Sequence, residues 1–143
     1  MAHRIDMKAD PTLADRAVIL SRLDAYNDSR TGPEPDLPLA LLIVDEHDGS
    51  PQGGLWGRSY YGWLFVELLF VPEALRGSGV GTELMRRAEA EAVRRGCHGV
   101  WLDSFSFQAP GFYRRLGYEV FGVVEDYPPG QRRFFLKKRL DAR

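Results

Sequence analysis

Residues 69–85 read LFVPEALRGSGVGTELM. An apolar run enters a proline, and Arg76 opens a turn with glycines at 77, 79 and 81. From Val80 onward, Val80, Leu84, Ala88 and Ala92 recur every four residues with Met85 beside them, while Glu and Arg fill the other faces. That is the pattern of an amphipathic helix. A strand, a glycine turn and a helix start together make an anion site. The first N–H groups of the helix have no partner within it, and the helix dipole adds a positive end. The expected ligand is a phosphate.

Three phosphate motifs compete for this stretch. The nucleotide P-loop needs a lysine after its last glycine, and Thr82 stands there instead. The dinucleotide fingerprint needs a tight turn directly behind a strand and an acid about 20 residues on. Asp103 sits at a suitable distance, but residues 72–76 separate Val71 from Gly77, and hairpins flank the motif. The third motif is R-G-x-G-x-G entering a helix.

The elements around the turn set the fold class. WLFVELLFV (63–71) is a strand rich in aromatic and branched residues, and its pattern predicts cover on both faces. LALLIVDE (39–46) and LWGRSY (55–60) read as a hairpin around HDGSPQGG (47–54). HGVWLDSF (98–105), YEVFGVV (118–124) and RRFFLKKR (132–139) read as strands, and PGFYRRLG (110–117) as a short helix. PTLADRAVILSRLDAYN (11–27) reads as a helix, SRTGPEPDLP (29–38) as a loop, and residues 3–8 as a short first strand. The fold class is α/β of the α+β mixed-sheet kind, with six to seven strands and flanking helices. An α crossover joins the two middle strands.

The chain has 143 residues, 44% hydrophobic and 27% charged, the balance of one soluble globular domain spanning residues 1–143. A net charge of −1 provides no global field toward nucleic acid or an acidic membrane. RRFFLKKR is basic, but on a strand its charges alternate with core phenylalanines. The longest apolar run is too short for a bilayer, which needs about 20 residues. The start, MAHRIDMKADPTLADR, has no apolar signal core, so the cytoplasm is the default compartment. Cys97 is the sole cysteine and reads as a small buried residue. His47 and His98 have no partners at metal-ligand spacing, so no metal is expected.

LFVPEALRGSGVGTELM, followed by FYRRLGYEVFG (112–122) in the same order, resembles the GNAT superfamily of acyl-CoA-dependent N-acyltransferases. The resemblance covers roughly residues 39–140. It implies a GNAT-like fold, acetyl-CoA as cosubstrate and an amine acceptor, either a small molecule or a peptide. It also implies that the amides of Gly77, Ser78, Gly79, Val80, Gly81 and Thr82 cradle the pyrophosphate, with Arg76 adding charge. The backbones of Leu69 and Val71 would pair with the pantetheine arm where two parallel strands splay, and an N–H there could polarise the thioester carbonyl. Tyr113, in the pattern Tyr-x-x-x-Gly-Tyr, would protonate the leaving thiolate.

Glu67 is a candidate general base, since a carboxylate amid WLFVELLFV would have a raised pKa if desolvated. Relatives with a carboxylate on this strand can carry it two residues earlier, where this chain has Phe65. Solvent exposure or an arginine partner is the other reading of Glu67. Asp103 could instead orient substrate or a water. Trp56, Tyr60, Tyr61 and Tyr127, with Glu125 and Asp126, are candidates for an amine-binding cleft by cation–π contact, or else for sheet core or a dimer surface. A non-catalytic acyl-CoA sensor on the same fold is the rival function. A homodimer is expected from domain size alone.

Overall fold

Thr12 fixes where the first helix begins. Its hydroxyl accepts from the Asp15 N–H at 3.1 Å, and the Asp15 carboxylate accepts from the Thr12 N–H at 2.9 Å, a reciprocal cap. Helix α1 (Leu13–Thr31) follows. It runs past Asn27 into the expected loop, with Ser29 and Thr31 hydroxyls bonding back to the carbonyls of Tyr26 and Asn27. Gly32, at φ 78°, stops it. This computed structural model describes residues 1–141. Its chain forms two compact units, residues 1–34 and the remainder from Pro35, and α1 lies in the first.

The expected first strand at residues 3–8 does not form. Its only large apolar side chains, Ile5 and Met7, are exposed. Arg4 pairs locally with Asp6, and Lys8 reaches Asp15 at the helix start. A half-buried strand needs more apolar surface than this.

The second unit holds one mixed sheet of six strands. These are β1 (Leu37–Val44), β2 (Pro51–Tyr60), β3 (Trp63–Phe70), β4 (Gly99–Phe105), β5 (Glu119–Glu125) and β6 (Arg132–Arg139), in spatial order β1-β2-β3-β4-β6-β5. Only β3 and β4 are parallel, joined across α2 (Val80–Arg94), and α3 (Pro110–Arg115) links β4 to β5. The β1–β2 turn is shorter than HDGSPQGG suggests, because Asp45 N–H bonds Ser50 and Gly49 N–H bonds Asp45, so pairing resumes at Pro51.

Helix α2 turns Leu84, Met85, Ala88 and Ala92 onto Leu64, Val66, Val100, Leu102 and Leu136, all buried. Glu89, four residues after Met85, shares that face and is buried too. It accepts from the Tyr118 hydroxyl at 2.8 Å, Lys138 Nζ at 3.1 Å and Arg86 Nη1 at 3.1 Å. Burial, then the Glu89 charge, pushes the Tyr118 phenol far above its usual range. Among the described residues, no helix is long and apolar enough to cross a membrane.

Two features of β3 prepare the site. It pairs with β4 from Trp63↔Gly99 to Val66↔Leu102, and the pairing then stops although both strands continue. At that point β3 carries a bulge. Trp56 faces Leu68 while Gly57 faces Val66, so Glu67 has no partner in β2. Cover on both faces therefore fails for the second half of β3, where Glu67, Leu68 and Phe70 are exposed.

Candidate active site

A cleft of about 1360 Å³ opens where β3 and β4 part, lined wholly by residues of the second unit. It exceeds the ~300–1,000 Å³ typical of a single small ligand, so it has room for a long donor and an acceptor together. Leu69 pairs with buried Leu55 and Leu102 with buried Val66, so both face α2. Phe65 and Asp103 are one residue out of phase and face the other way. Side chains from both sheet faces line this cleft. It therefore passes between the two strands.

The α2 side of the cleft carries the glycine turn. Gly77 and Gly79 lie at φ 79° and 89°, a region that favours glycine, and a Cβ on either would meet nothing within 4 Å. Gly79 is the N-cap of α2 and offers no side chain. The N–H groups of Val80, Gly81 and Thr82 make no bond within the described chain. Ser78 does not help them, since its hydroxyl donates back to the Leu75 carbonyl. Gly81 has a different reason to be glycine, because a Cβ there would sit 3.2 Å from the Phe112 ring. Arg76 folds back over the strand end. Its Nε donates to the Val71 carbonyl at 3.0 Å, and its guanidinium lies 5.5 Å from the Phe70 ring centre.

Tyr113 reaches the cleft from α3, which Pro110 starts and Gly117, at φ 97°, follows. Its ring is half-buried and packs edge-on against Phe112 at 5.1 Å. Its hydroxyl makes no hydrogen bond among the described residues. Burial, and then the Asp103 charge, pushes the phenol up to about 12. It is a neutral donor at any ordinary pH.

The opposite side of the cleft is aromatic and almost charge-balanced. Phe65 stacks on Trp101 at 4.2 Å, and Phe105 stacks on Phe107 at 5.3 Å. Asp103 is held by Arg133 through two contacts, 2.9 Å to Nε and 2.8 Å to Nη2. The same guanidinium donates to the Tyr127 hydroxyl and lies about 5 Å from the rings of Phe105, Tyr127 and Phe135. Glu67 forms no ion pair or hydrogen bond within the described residues.

A glycine turn at an uncapped helix start, a strand splay and a phenol in one cleft suit a phosphate-bearing acyl donor. The model of the Acetyltransferase (GNAT) family matches residues 13–118. The chain belongs to this family. It is 38% identical to acetyltransferase Atu2258 of Agrobacterium fabrum over 135 residues, 94% of this chain and 93% of that one. It is 45% identical to the blasticidin-S acetyltransferase of Streptomyces morookaense over 93 residues, 64% of this chain and 68% of that one. The crystal structure of an acetyltransferase from Agrobacterium tumefaciens superposes with TM-score 0.86 at 38% identity, covering 98% of this chain and all of that one. The chain is thus a GNAT acetyltransferase, of a family that uses acyl-CoA.

Within this GNAT fold, Tyr113, Leu69, Val71, Arg76 and the glycines at 77, 79 and 81 all line the cleft. Ser78 and Val80 belong to the turn without lining it. Glu67 lines it as an exposed residue, so the desolvation expected of it is missing.

The expected amine-binding aromatics are displaced. Trp56, Tyr60 and Tyr61 do not line the cleft. Tyr60 pairs with Trp63 at the opposite end of β3 from the glycine turn. Tyr127 stands behind the lining, bonded to Arg133 and packed on Phe105. Glu125 pairs with Arg132, and Asp126 accepts from the Gly130 N–H. Asp103 is taken by Arg133. His47 serves a turn through its N–H, and His98 meets Asp141. Sequence reasoning missed Phe105, Phe107, Phe112, Arg115 and Arg133. The alternation in SFSF (104–107), continuing β4 toward the glycine-turn end, was the available signal.

Proposed function

We propose that this GNAT protein transfers an acetyl group from acetyl-CoA to an amine by direct attack. The carrying observation is that the uncapped glycine turn, the strand splay and the unbonded Tyr113 hydroxyl share one cleft. In this reading the free amides of Val80, Gly81 and Thr82, with Arg76, hold the pyrophosphate, and the Leu69–Val71 backbone holds the pantetheine arm.

The amine nitrogen forms a bond to the thioester carbonyl carbon, and the carbon–sulfur bond breaks. The proton lost by nitrogen passes to Glu67, directly or through water, and Tyr113 donates to the departing sulfur. Cys97 supports the absence of an acyl-enzyme, because it is buried outside the cleft and burial raises its thiol pKa. The similarity to blasticidin-S acetyltransferase supports a small-molecule acceptor. The family match starts in the first compact unit and runs on into the second, which supports one transferase domain.

Initial rates of thiol release with both substrates varied test this reading. Direct transfer gives intersecting reciprocal plots, and parallel plots would overturn it. Acetyl-CoA binding without turnover on any amine would establish the sensor instead.

A further inference from the structure

Resting on that transferase reading, the cleft also identifies its acceptor class. Its charged lining on the side facing away from α2 contains two carboxylates, and only one is free. Asp103 is closed off by two contacts with Arg133, whose remaining reach is taken up by the Tyr127 hydroxyl and three aromatic rings. Glu67, which follows inward-facing Val66 on β3, is exposed and forms no ion pair or hydrogen bond among the described residues. One free carboxylate matches one ammonium. A polycation would meet Glu67 once and the Arg133 guanidinium thereafter.

The walls carry aromatic rings among their polar groups. Phe107 is 59% exposed and Phe70 55% exposed, yet both line the cleft. Phe107 lies parallel to Phe105, with 10° between the planes. Phe107 is thus the exposed member of a parallel ring pair at the cleft. Such an exposed apolar surface inside a cleft calls for an apolar, stackable occupant.

We propose that the acceptor is a monocationic amine carried on a flat unsaturated body. Glu67 holds the ammonium and Phe107 stacks on the body. The neutralised Asp103–Arg133 pair disfavours polycationic and aminoglycoside-like amines.

The test compares 2-phenylethylamine, 2-cyclohexylethylamine and kanamycin as acceptors in thiol release at saturating acetyl-CoA. The first two match in charge and differ in flatness, and the third is a polycation. The aryl amine is expected to exceed each of the others about tenfold in kcat/KM. Phe107→Ala is expected to shrink the aryl-over-cyclohexyl ratio about fivefold, the scale of one aromatic stack. Because Phe107 is mostly exposed, its truncation leaves the core intact, and a thermal melt checks this. Transfer that favours kanamycin, or a ratio that Phe107→Ala leaves unmoved, overturns the acceptor assignment while the transferase reading stands. Acetyl-CoA binding with no thiol release from any amine overturns both.

Discussion

Replacing Tyr113 by Phe removes one hydroxyl and nothing else, because that hydroxyl has no partner among the described residues. The fold should lose little, under about 0.5 kcal/mol, since no hydrogen bond is broken and the ring keeps its packing. The chemical step should lose much more. With the phenol at about 12, full proton transfer to an alkyl thiolate of pKa about 8.5 is uphill by about 5 kcal/mol. In the proposed mechanism the hydroxyl therefore works first as a hydrogen-bond donor to developing charge on sulfur. Proton transfer completes only as far as burial raises the thiol's own pKa.

Losing one such donor costs about 2.7–4 kcal/mol, a factor of about 10² to 10³ in kcat. The Kd for acetyl-CoA should move less than about threefold, because the thioester sulfur of the ground state carries no charge. The assay pairs steady-state thiol release with a calorimetric titration of acetyl-CoA. A second signature follows from the raised phenol pKa. The group stays protonated across the working range, so the parent should show no loss of kcat between about pH 7 and pH 10 traceable to Tyr113. A kcat for Tyr113→Phe within threefold of the parent would refute the reasoning.

Three further outcomes can be checked. Gly79→Ala places a Cβ at φ 89°, so the melt should show a loss of about 1–2 kcal/mol, with acetyl-CoA binding weakened beside it. Glu89→Ala leaves Lys138 and the Tyr118 hydroxyl without their buried acceptor, and denaturant unfolding should show a loss of about 3–5 kcal/mol. Glu91 is held at about 2 by Arg94 and then Arg95. A depressed carboxyl stabilises the fold above its unfolded pKa of about 4.3 and loses that contribution as pH falls toward about 2. Melting temperatures across that window should fall less steeply for Glu91→Gln than for the parent.

What the sequence made legible was local. The helix start at Val80 and the strand RRFFLKKR, residues 132–139, were readable because apolar period, glycine and charge all lie within one element. The short helix that carries Tyr113 was readable because Pro110 and Gly117 bracket it. What stayed hidden belongs to pairs of elements. Leu68 is exposed and Leu69 turned inward because of a slip in register between β2 and β3, and a bulge is a property of two strands. The Asp103–Arg133 pair joins residues 30 apart, brought together only because β4 lies beside β6. The aromatics of WGRSYYGW looked close to the site because they precede β3. Strand direction carries Tyr60 and Tyr61 to the far end instead, while Phe105 arrives from the neighbouring parallel strand and Phe107 from the turn after it.

The RGSGVGT turn and the β3–β4 splay are proposed to hold an acyl-CoA. A calorimetric titration of the full chain with acetyl-CoA, with NADH and ATP as controls, tests it most directly. One saturable site for acetyl-CoA, displaced by free CoA and indifferent to NADH and ATP, is the predicted result. Heat from NADH alone, or from none of the three, would contradict the account.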